Sequence, residues 1–355
     1  MIDPSTLELL KEQYQKKFPF VIYSLPNSQE VTVILQNNNT LYDPKDFSER
    51  AFLFYPFYKN QKSYCIPKEF SKVRKQNLTL RELEPLTLAV KESLLEKKEY
   101  EALVSKALLF IKERHAQKVV VSRKTTFSIS KIDFDVILYR LFLMYPSAFR
   151  YLWYHPETGI WCGITPELLL QTQEDCFSTM ALAGTQKSYA TQRTEWGDKE
   201  KDEHQLVVDD IVTKLQSVLS VLKVSKTYTY PAGPVVHLRT DITGSLKKGK
   251  TSLPEIASLL HPTSAVCGTP RKIAQKFIET HETYNREYYT GYLGPLKENT
   301  QESSIFVNLR CMKIEENHAH IFVGGGITVD SVPELEWLET QYKMQTMLTV
   351  LQPFL

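Results

Sequence analysis

Two pairs of glutamates at three-residue spacing carry the first chemical signal in this chain. Glu200 and Glu203 lie in GDKEKDEHQLVVDDIV, and Glu336 and Glu339 lie in PELEWLETQYKMQTML. On a helix, residues three apart project from one face, so each pair can aim two carboxylates at one point. Taken singly, either pair reads as a solvated helix surface. Four converging carboxylates are an oxygen-only donor set that suits Mg²⁺, an ion that takes few protein ligands, keeps several waters and favours an anionic substrate group. No Cys or His spacing resembles a zinc site.

Arg310 falls in IFVNLRCMKI, and the loose alternation of Ile305 to Ile314 predicts a single strand. An arginine is buried in a strand only when it meets an anion, and its planar fork matches a carboxylate. The competing reading is an ordinary solvent-facing arginine. Gly324, Gly325 and Gly326 follow a second apolar strand, Ala319 to Val323, and read as a turn. Without side chains they permit positive φ and let backbone N–H groups approach a ligand closely.

Lys118 opens the strand KVVVSR, and Glu167 sits in GITPELLL between a proline and three leucines. An apolar setting raises a carboxyl's pKa and keeps it protonated, as a general acid requires. A lysine serves as a base only if its pKa falls from about 10.4 toward neutrality. Alone, each reads equally well as a strand-end charge.

Elements that would position these groups are legible along the chain. Thr6 to Lys17 predicts a helix, followed by strands near Phe20 to Tyr23, Val31 to Gln36 and Ala51 to Tyr55. Helices are expected over about Pro85 to Lys98 and about Tyr100 to His115, and from Pro333 to Leu351. Paired strands are expected to turn at Asn299 and Asn317. The basic stretch Lys68 to Lys75, interrupted by Glu69, reads as a solvated loop. With no repeat and no low-complexity linker, one continuous domain over 1–355 is expected. Residues 1–90 would be a strand-contributing portion without catalytic motifs, and 100–351 the catalytic core.

Composition sets the outer bounds. At 355 residues, 42% hydrophobic and 24% charged, the chain can bury a substantial core. A net charge of +2 gives no electrostatic reason to expect nucleic acid. Five scattered cysteines form no disulfide or metal pattern, consistent with a reducing cytoplasm. MIDPSTLELLKEQ lacks a signal-peptide core, and no apolar run approaches the roughly 20 residues of a membrane helix. No dinucleotide fingerprint or P-loop is present. No membrane, nucleic-acid or obligatory protein partner is expected, and the location is expected to be cytoplasmic.

The motifs resemble those of the chorismate-utilising enzymes, and within them the isochorismate synthases. The resemblance covers about Tyr100 to Leu351. It rests on an ordered series that includes KVVVSR, GITPELLL, ALAGT, EKDEHQLVVDDI, LLHPTSAVCGTPR, YNREYYTGYLG, VNLR, VGGGI and EWLETQYKMQTML. It implies an α+β fold of two large, mainly antiparallel sheets packed as a sandwich with helices outside. It further implies Mg²⁺ as cofactor and chorismate as small-molecule substrate. Lys118 matches the lysine that activates water for attack at C2, and Glu167 the acid that protonates the departing C4 hydroxyl. Glu203 and Glu339 match direct Mg²⁺ ligands, with Glu200 and Glu336 supporting the ion through water. Arg310 and Tyr289 match residues that hold a substrate carboxylate, helped by N–H groups near Gly325 and Gly326. Lys343 is a candidate for the same anionic surroundings. Thr185, Ala265 and Val266 match positions lining the substrate ring, with His261 in the same loop.

Several residues separate the branches of the family. Anthranilate synthases have a glutamine in place of Lys118, and aminodeoxychorismate synthases carry a lysine where Ala183 stands. Salicylate synthases share Lys118, Glu167 and the metal ligands but commonly have a threonine-containing loop where this chain has Ala265 and Val266. A non-catalytic sensor would not need the base and the acid together. Departures from the family pattern fall at Gln186 to Tyr189, Asn285 and Asp241, expected near the active-site rim. Menaquinone is the expected destination of the product, as the more general use, with a catechol siderophore the alternative.

Overall fold

The computed structural model describes residues 2–46, 50–78, 93–174, 176–188, 194–247, 253–296 and 302–355. Among them are the helices α1 (Pro4–Gln15), α2 (Leu94–Lys112), α3 (Phe134–Leu143), α4 (Asp198–Leu215), α5 (Leu253–Leu260), α6 (Arg271–His281) and α7 (Pro333–Leu351). The helix expected at Pro85 to Lys98 lies largely outside the described residues, as does the turn at Asn299; α2 starts at Leu94, capped by the Ser93 hydroxyl.

Among the described residues, two antiparallel sheets of nine strands each form the body. One runs from Gly268–Thr269 through Lys118–Ser128, His318–Ile327, Cys311–Glu315, Gly159–Thr165, Phe149–His155, Phe20–Ser24 and Glu30–Gln36 to Ser71–Asn77. The other is centred on Cys176–Lys187, Leu168–Gln173, Ser303–Val307, Tyr292–Pro295 and Ala51–Tyr55. N-terminal strands thus enter both sheets and pair directly with strands of the motif-bearing part. The segment Lys68 to Lys75 is not a loop: a 3₁₀ turn at Lys68–Phe70 leads into the edge strand Ser71–Asn77. Alternating exposed charges on that strand hide the period-2 pattern, and they suit an edge that must not pair further.

Large aromatic side chains fill the space between the sheets. Phe149 stacks on Phe306 across it, with ring centroids 4.2 Å apart, and Phe54 meets Trp153 at 4.9 Å. Helices α1, α3 and α7 cover the outer face of the first sheet, and α4 and α5 cover the second. The α+β sandwich is therefore present as expected. All five cysteines are unpaired, four of them buried. Among the described residues no helix is long and apolar enough to cross a membrane.

Candidate active site

The chain passes between the sheets at two neighbouring points, and each carries a predicted site residue. Pro166 and Glu167 link Gly159–Thr165 of one sheet to Leu168–Gln173 of the other. Asn308, Leu309 and Arg310 link Ser303–Val307 back to Cys311–Glu315. The single strand expected over Ile305 to Ile314 is thus two strands in different sheets, because Arg310 breaks it at φ 44°. A non-glycine residue there is strained, and such strain concentrates at functional sites. Hydrogen bonds lock the two crossings together: Val307 N–H donates to the Glu167 carbonyl at 3.0 Å, Ile164 N–H to the Arg310 carbonyl at 3.0 Å, and the Thr165 hydroxyl to the Val307 carbonyl at 2.6 Å.

Arg310 points into the cavity while 7% exposed, and among the described residues it has no carboxylate within ion-pair distance. Its Nη2 lies 3.0 Å from Nε2 of His237. A guanidinium can only donate, so Nε2 must accept, which places the imidazole proton on Nδ1. Nδ1 indeed lies 3.0 Å from the Gly184 carbonyl and 3.2 Å from the Thr185 hydroxyl. Burial, reinforced by Arg310 and Lys343, holds the His237 pKa well below its usual value, consistent with this neutral tautomer. Burial also lowers the Arg310 pKa to about 10, leaving it charged at neutral pH with donors open to the cavity. A buried guanidinium with open donors has the chemistry to pair with a carboxylate.

Glu167 lines the same cavity, 3% exposed. Burial raises its pKa to about 8 against the opposing pull of Lys118, Lys343 and Arg310, so it holds a proton at neutral pH. A general acid raised to about 8 is lost as pH rises through that value. The alkaline limb of kcat/KM should therefore fall near pH 8 in the free enzyme. Glu167→Gln should lower turnover by about 10²–10⁴-fold, and its residual activity should lack that limb. A pH–rate profile with the same alkaline limb in both proteins would remove Glu167 as the acid.

The three glycines form no turn. They lie within the strand His318–Ile327, with Gly324 opposite Ser122, Gly325 opposite Val121 and Gly326 opposite Val120, and none has positive φ. Their absent side chains make room for the acidic residues instead. A Cβ at Gly326 would collide with Glu203 Oε1 and stand 2.8 Å from Lys118 Cε. One at Gly325 would lie 3.1 Å from Glu336 Oε2 and 3.5 Å from Glu339 Oε1. Glu203, from α4, thus crowds the glycine floor at Gly326, and Glu336 and Glu339, from α7, crowd it at Gly325, whose Cβ direction points to the opposite face of the strand.

Each of these carboxylates meets a lysine. Lys118, fully buried, pairs with Glu203 at 2.9 Å. Lys199 pairs with Glu336 and Lys343 with Glu339, each at 2.6 Å. Burial pushes the Glu203 pKa up, yet Lys118, with help from Lys199 and Lys343, holds it below the usual value. Glu336 behaves oppositely: burial, then repulsion from Glu339, raises it to about 7 despite Lys199.

The remaining sequence candidates divide. Thr185, Ala265, Val266, Tyr289, Gly326 and Lys343 line the cavity with Glu167, Glu203 and Arg310. Lys343 also donates to the Gly324 carbonyl at 2.9 Å. Glu200 does not join the other three acids, because its carboxylate accepts from the Gly197 N–H at 3.1 Å and caps α4. His261 also turns elsewhere: it donates to the Phe57 carbonyl at 3.2 Å and packs edge-on to Tyr292. Of the departures, Asp241 is bound to Arg239 and Tyr228, and neither it nor Gln186, Lys187 nor Asn285 lines the cavity. Tyr189 lies outside the described residues.

Sequence reasoning missed His237, Lys199 and Arg286 as site-building residues. His237 faces the cavity from the strand Val235–Leu246, directly opposite Thr185, a register invisible in sequence. Arg286 is fully buried, donating to the carbonyls of Val120 and Val266, which both line the cavity, and pairing with Glu282. Only its place within the YNREYYTG motif hinted at a role.

As they stand, no three His, Cys, Asp or Glu side chains among the described residues are close enough to hold a metal. The donor chemistry nevertheless fits a hard divalent cation. Three acids crowd adjacent glycines where any Cβ would intrude, their oxygens are hard donors, and each is balanced here by a lysine in place of another cation. The buried Tyr100 hydroxyl, without a hydrogen-bond partner, lies on the same side of Gly325. Glu203, Glu336 and Glu339 are the residues that would hold the ion.

Comparison with known proteins agrees with this geometry. A family model described as "Chorismate binding enzyme" matches residues 58–352. Isochorismate synthase EntC of Escherichia coli K12 is 30% identical over 275 residues, covering 75% of this chain and 70% of that protein. Isochorismate synthase MenF of the same strain is 32% identical over 259 residues, 70% of this chain and 59% of the relative. Anthranilate synthase component 1 of Saccharolobus solfataricus is 30% identical over 268 residues, covering 72% of this chain and 63% of the relative. The crystal structure of a putative 2,3-dihydroxybenzoate-specific isochorismate synthase, DhbC from Bacillus anthracis, superposes with a TM-score of 0.82 at 25% identity, covering 98% of this chain and 99% of the other. The menaquinone-specific MenF from Escherichia coli gives 0.81 at 25% identity, covering 99% and 92%. A matched model spanning most of the sequence, on a sandwich whose crossings carry the expected acid and arginine, places this chain in the chorismate-binding enzyme family.

Proposed function

We propose that this protein is a Mg²⁺-dependent isochorismate synthase, converting chorismate to isochorismate by adding water at C2 and expelling the C4 hydroxyl. The observation that carries the reading is a buried Arg310, without a carboxylate partner among the described residues, lining one cavity with a buried Glu167. It is supported by the named relatives, by a lysine at position 118 and by Ala183 in the AGT motif.

Arg310, steadied by the His237 lone pair, takes one substrate carboxylate, and Tyr289 borders the same space. Thr185, Ala265 and Val266 enclose the ring. Lys118 is assigned as the base that receives a proton from the attacking water. The new C2–O bond forms, the double bonds shift, and Glu167 gives its proton to the departing C4 oxygen, which leaves as water. Bound Mg²⁺ would offset the charge of the second carboxylate. Most of the rate would come from holding the partners in line and from fixed charge, with proton transfer adding its share.

Product analysis of purified protein with chorismate and Mg²⁺ tests the assignment. Isochorismate without salicylate or pyruvate is the expected result; salicylate with pyruvate would move the chain to a salicylate synthase, and no conversion would overturn catalysis. For the metal site, Glu339→Gln should raise the Mg²⁺ concentration for half-maximal activity at least about tenfold, the scale of one lost charged ligand. An unchanged Mg²⁺ titration would remove Glu339 from the metal shell. For the product's use we propose menaquinone synthesis, on generality alone. A gene deletion that left menaquinone intact would refute this.

A further inference from the structure

Three lysines neutralise the acids on the glycine floor, and they are not equivalent. Lys118 has no exposed side-chain surface and hence no route away from Glu203. Lys343 is tethered twice, to Glu339 four residues earlier on α7 and to the Gly324 carbonyl. Lys199 differs on both counts. It stands in the first turn of α4, four residues before Glu203, and its side chain is 24% exposed while that of its partner Glu336 is only 1% exposed. It reaches across from α4 to α7, and the 2.6 Å contact joins the two helices.

We propose that Lys199 is the displaceable counter-ion of the acidic site, holding Glu336 until a divalent cation arrives and then releasing it toward that ion. The inference rests on the metal reading of Glu203, Glu336 and Glu339 given above. A carboxylate buried beside Glu339 cannot stay charged without a cation, and in the metal-free protein Lys199 is that cation. A unit positive charge within hydrogen-bond distance of a ligand carboxylate also opposes a second cation. Metal must then displace the ammonium, whose open side faces solvent, before Glu336 can help hold it. The lysine thus stabilises the empty site and weakens bare metal binding. Its release couples cation entry to a rearrangement between α4 and α7.

The test is calorimetric titration of Mg²⁺ into metal-stripped full-length protein without substrate, with melting temperatures measured alongside. Lys199→Met should bind Mg²⁺ about tenfold more tightly than wild type, the scale of one removed neighbouring charge. It should also melt lower without metal and gain more on saturation with Mg²⁺. Lys199→Arg, which keeps the charge, should stay near wild type on every count. A merely structural lysine would lower metal affinity when lost, so unchanged or weaker Mg²⁺ binding by Lys199→Met overturns the proposal. Should the methionine variant not fold, Lys199→Gln is held to the same criterion. Glu339→Gln separates the two levels of the argument: if it binds Mg²⁺ as wild type does, the metal reading itself fails.

Discussion

Lys118→Ala is expected to reduce turnover of chorismate by about 10²–10⁴-fold, the usual contribution of a positioned base, while substrate binding changes little. The separation follows from the layout. Lys118 is buried behind Glu203 and Gly326, which line the cavity, whereas Arg310 and Tyr289 line it directly. The same substitution strands Glu203, whose side chain is only 12% exposed, without its ammonium partner. Breaking a buried pair by removing one member costs about 3–5 kcal/mol. The variant should therefore melt well below wild type in chelator and recover when Mg²⁺ is added. Wild-type turnover would remove Lys118 as the base, and a melting temperature indifferent to Mg²⁺ would disconnect Glu203 from the ion.

The second large effect is expected from a single methyl group. In Gly326→Ala the new Cβ would collide with Glu203 Oε1 and crowd Lys118 Cε, so Lys118 and the Glu203 carboxylate must both shift. Displacing reacting groups by about 1 Å can cost about 10²-fold in rate, and Gly326→Ala should lose at least that much. Gly325→Ala meets Glu336 Oε2 at 3.1 Å, a contact a side chain can relieve, and should lose far less. Steady-state kinetics on the two variants check the order. Equal activity in both would mean that the glycines serve the strand and not the site.

The contrast between the glycines and the arginine shows what sequence can and cannot express. Strand periodicity located Ala319 to Val323 and Phe20 to Tyr23 because local alternation reports burial directly. A triple glycine, however, signals a turn and a close approach equally well, and only pairing of Gly324–Gly326 with Ser122–Val120 decides for the latter. Arg310 stands out in the sequence as a candidate anion holder, and the structure buries it at the cavity, yet the strand around it reads as continuous. The switch between sheets depends on one positive φ and on hydrogen bonds to residues about 140 positions earlier.

Spacing on helices singled out Glu203, Glu336 and Glu339, which the structure sets against the neighbouring glycines Gly326 and Gly325. It failed for Glu200, because a glutamate three residues into a helix can cap the N-terminus as readily as face a ligand. His261 failed for another reason: its motif neighbours Ala265 and Val266 do line the cavity, but four residues of loop suffice to turn its ring toward Phe57. His237 and Lys199 were invisible because their partners, Arg310 and Glu336, come from distant elements. Where a motif and its function share one helix or strand, the sequence is readable; where the site is made by register between elements, it is not.

The most direct test of the central claim is the origin of the C2 oxygen. Purified protein, Mg²⁺ and chorismate should be combined in ¹⁸O-labelled water and the product analysed by mass spectrometry at early conversion. Attack by water at C2 with loss of the C4 hydroxyl predicts isochorismate carrying one heavy oxygen, located at C2. Isochorismate without label would mean that the hydroxyl migrates within the substrate, contradicting the assigned roles of Lys118 and Glu167 together.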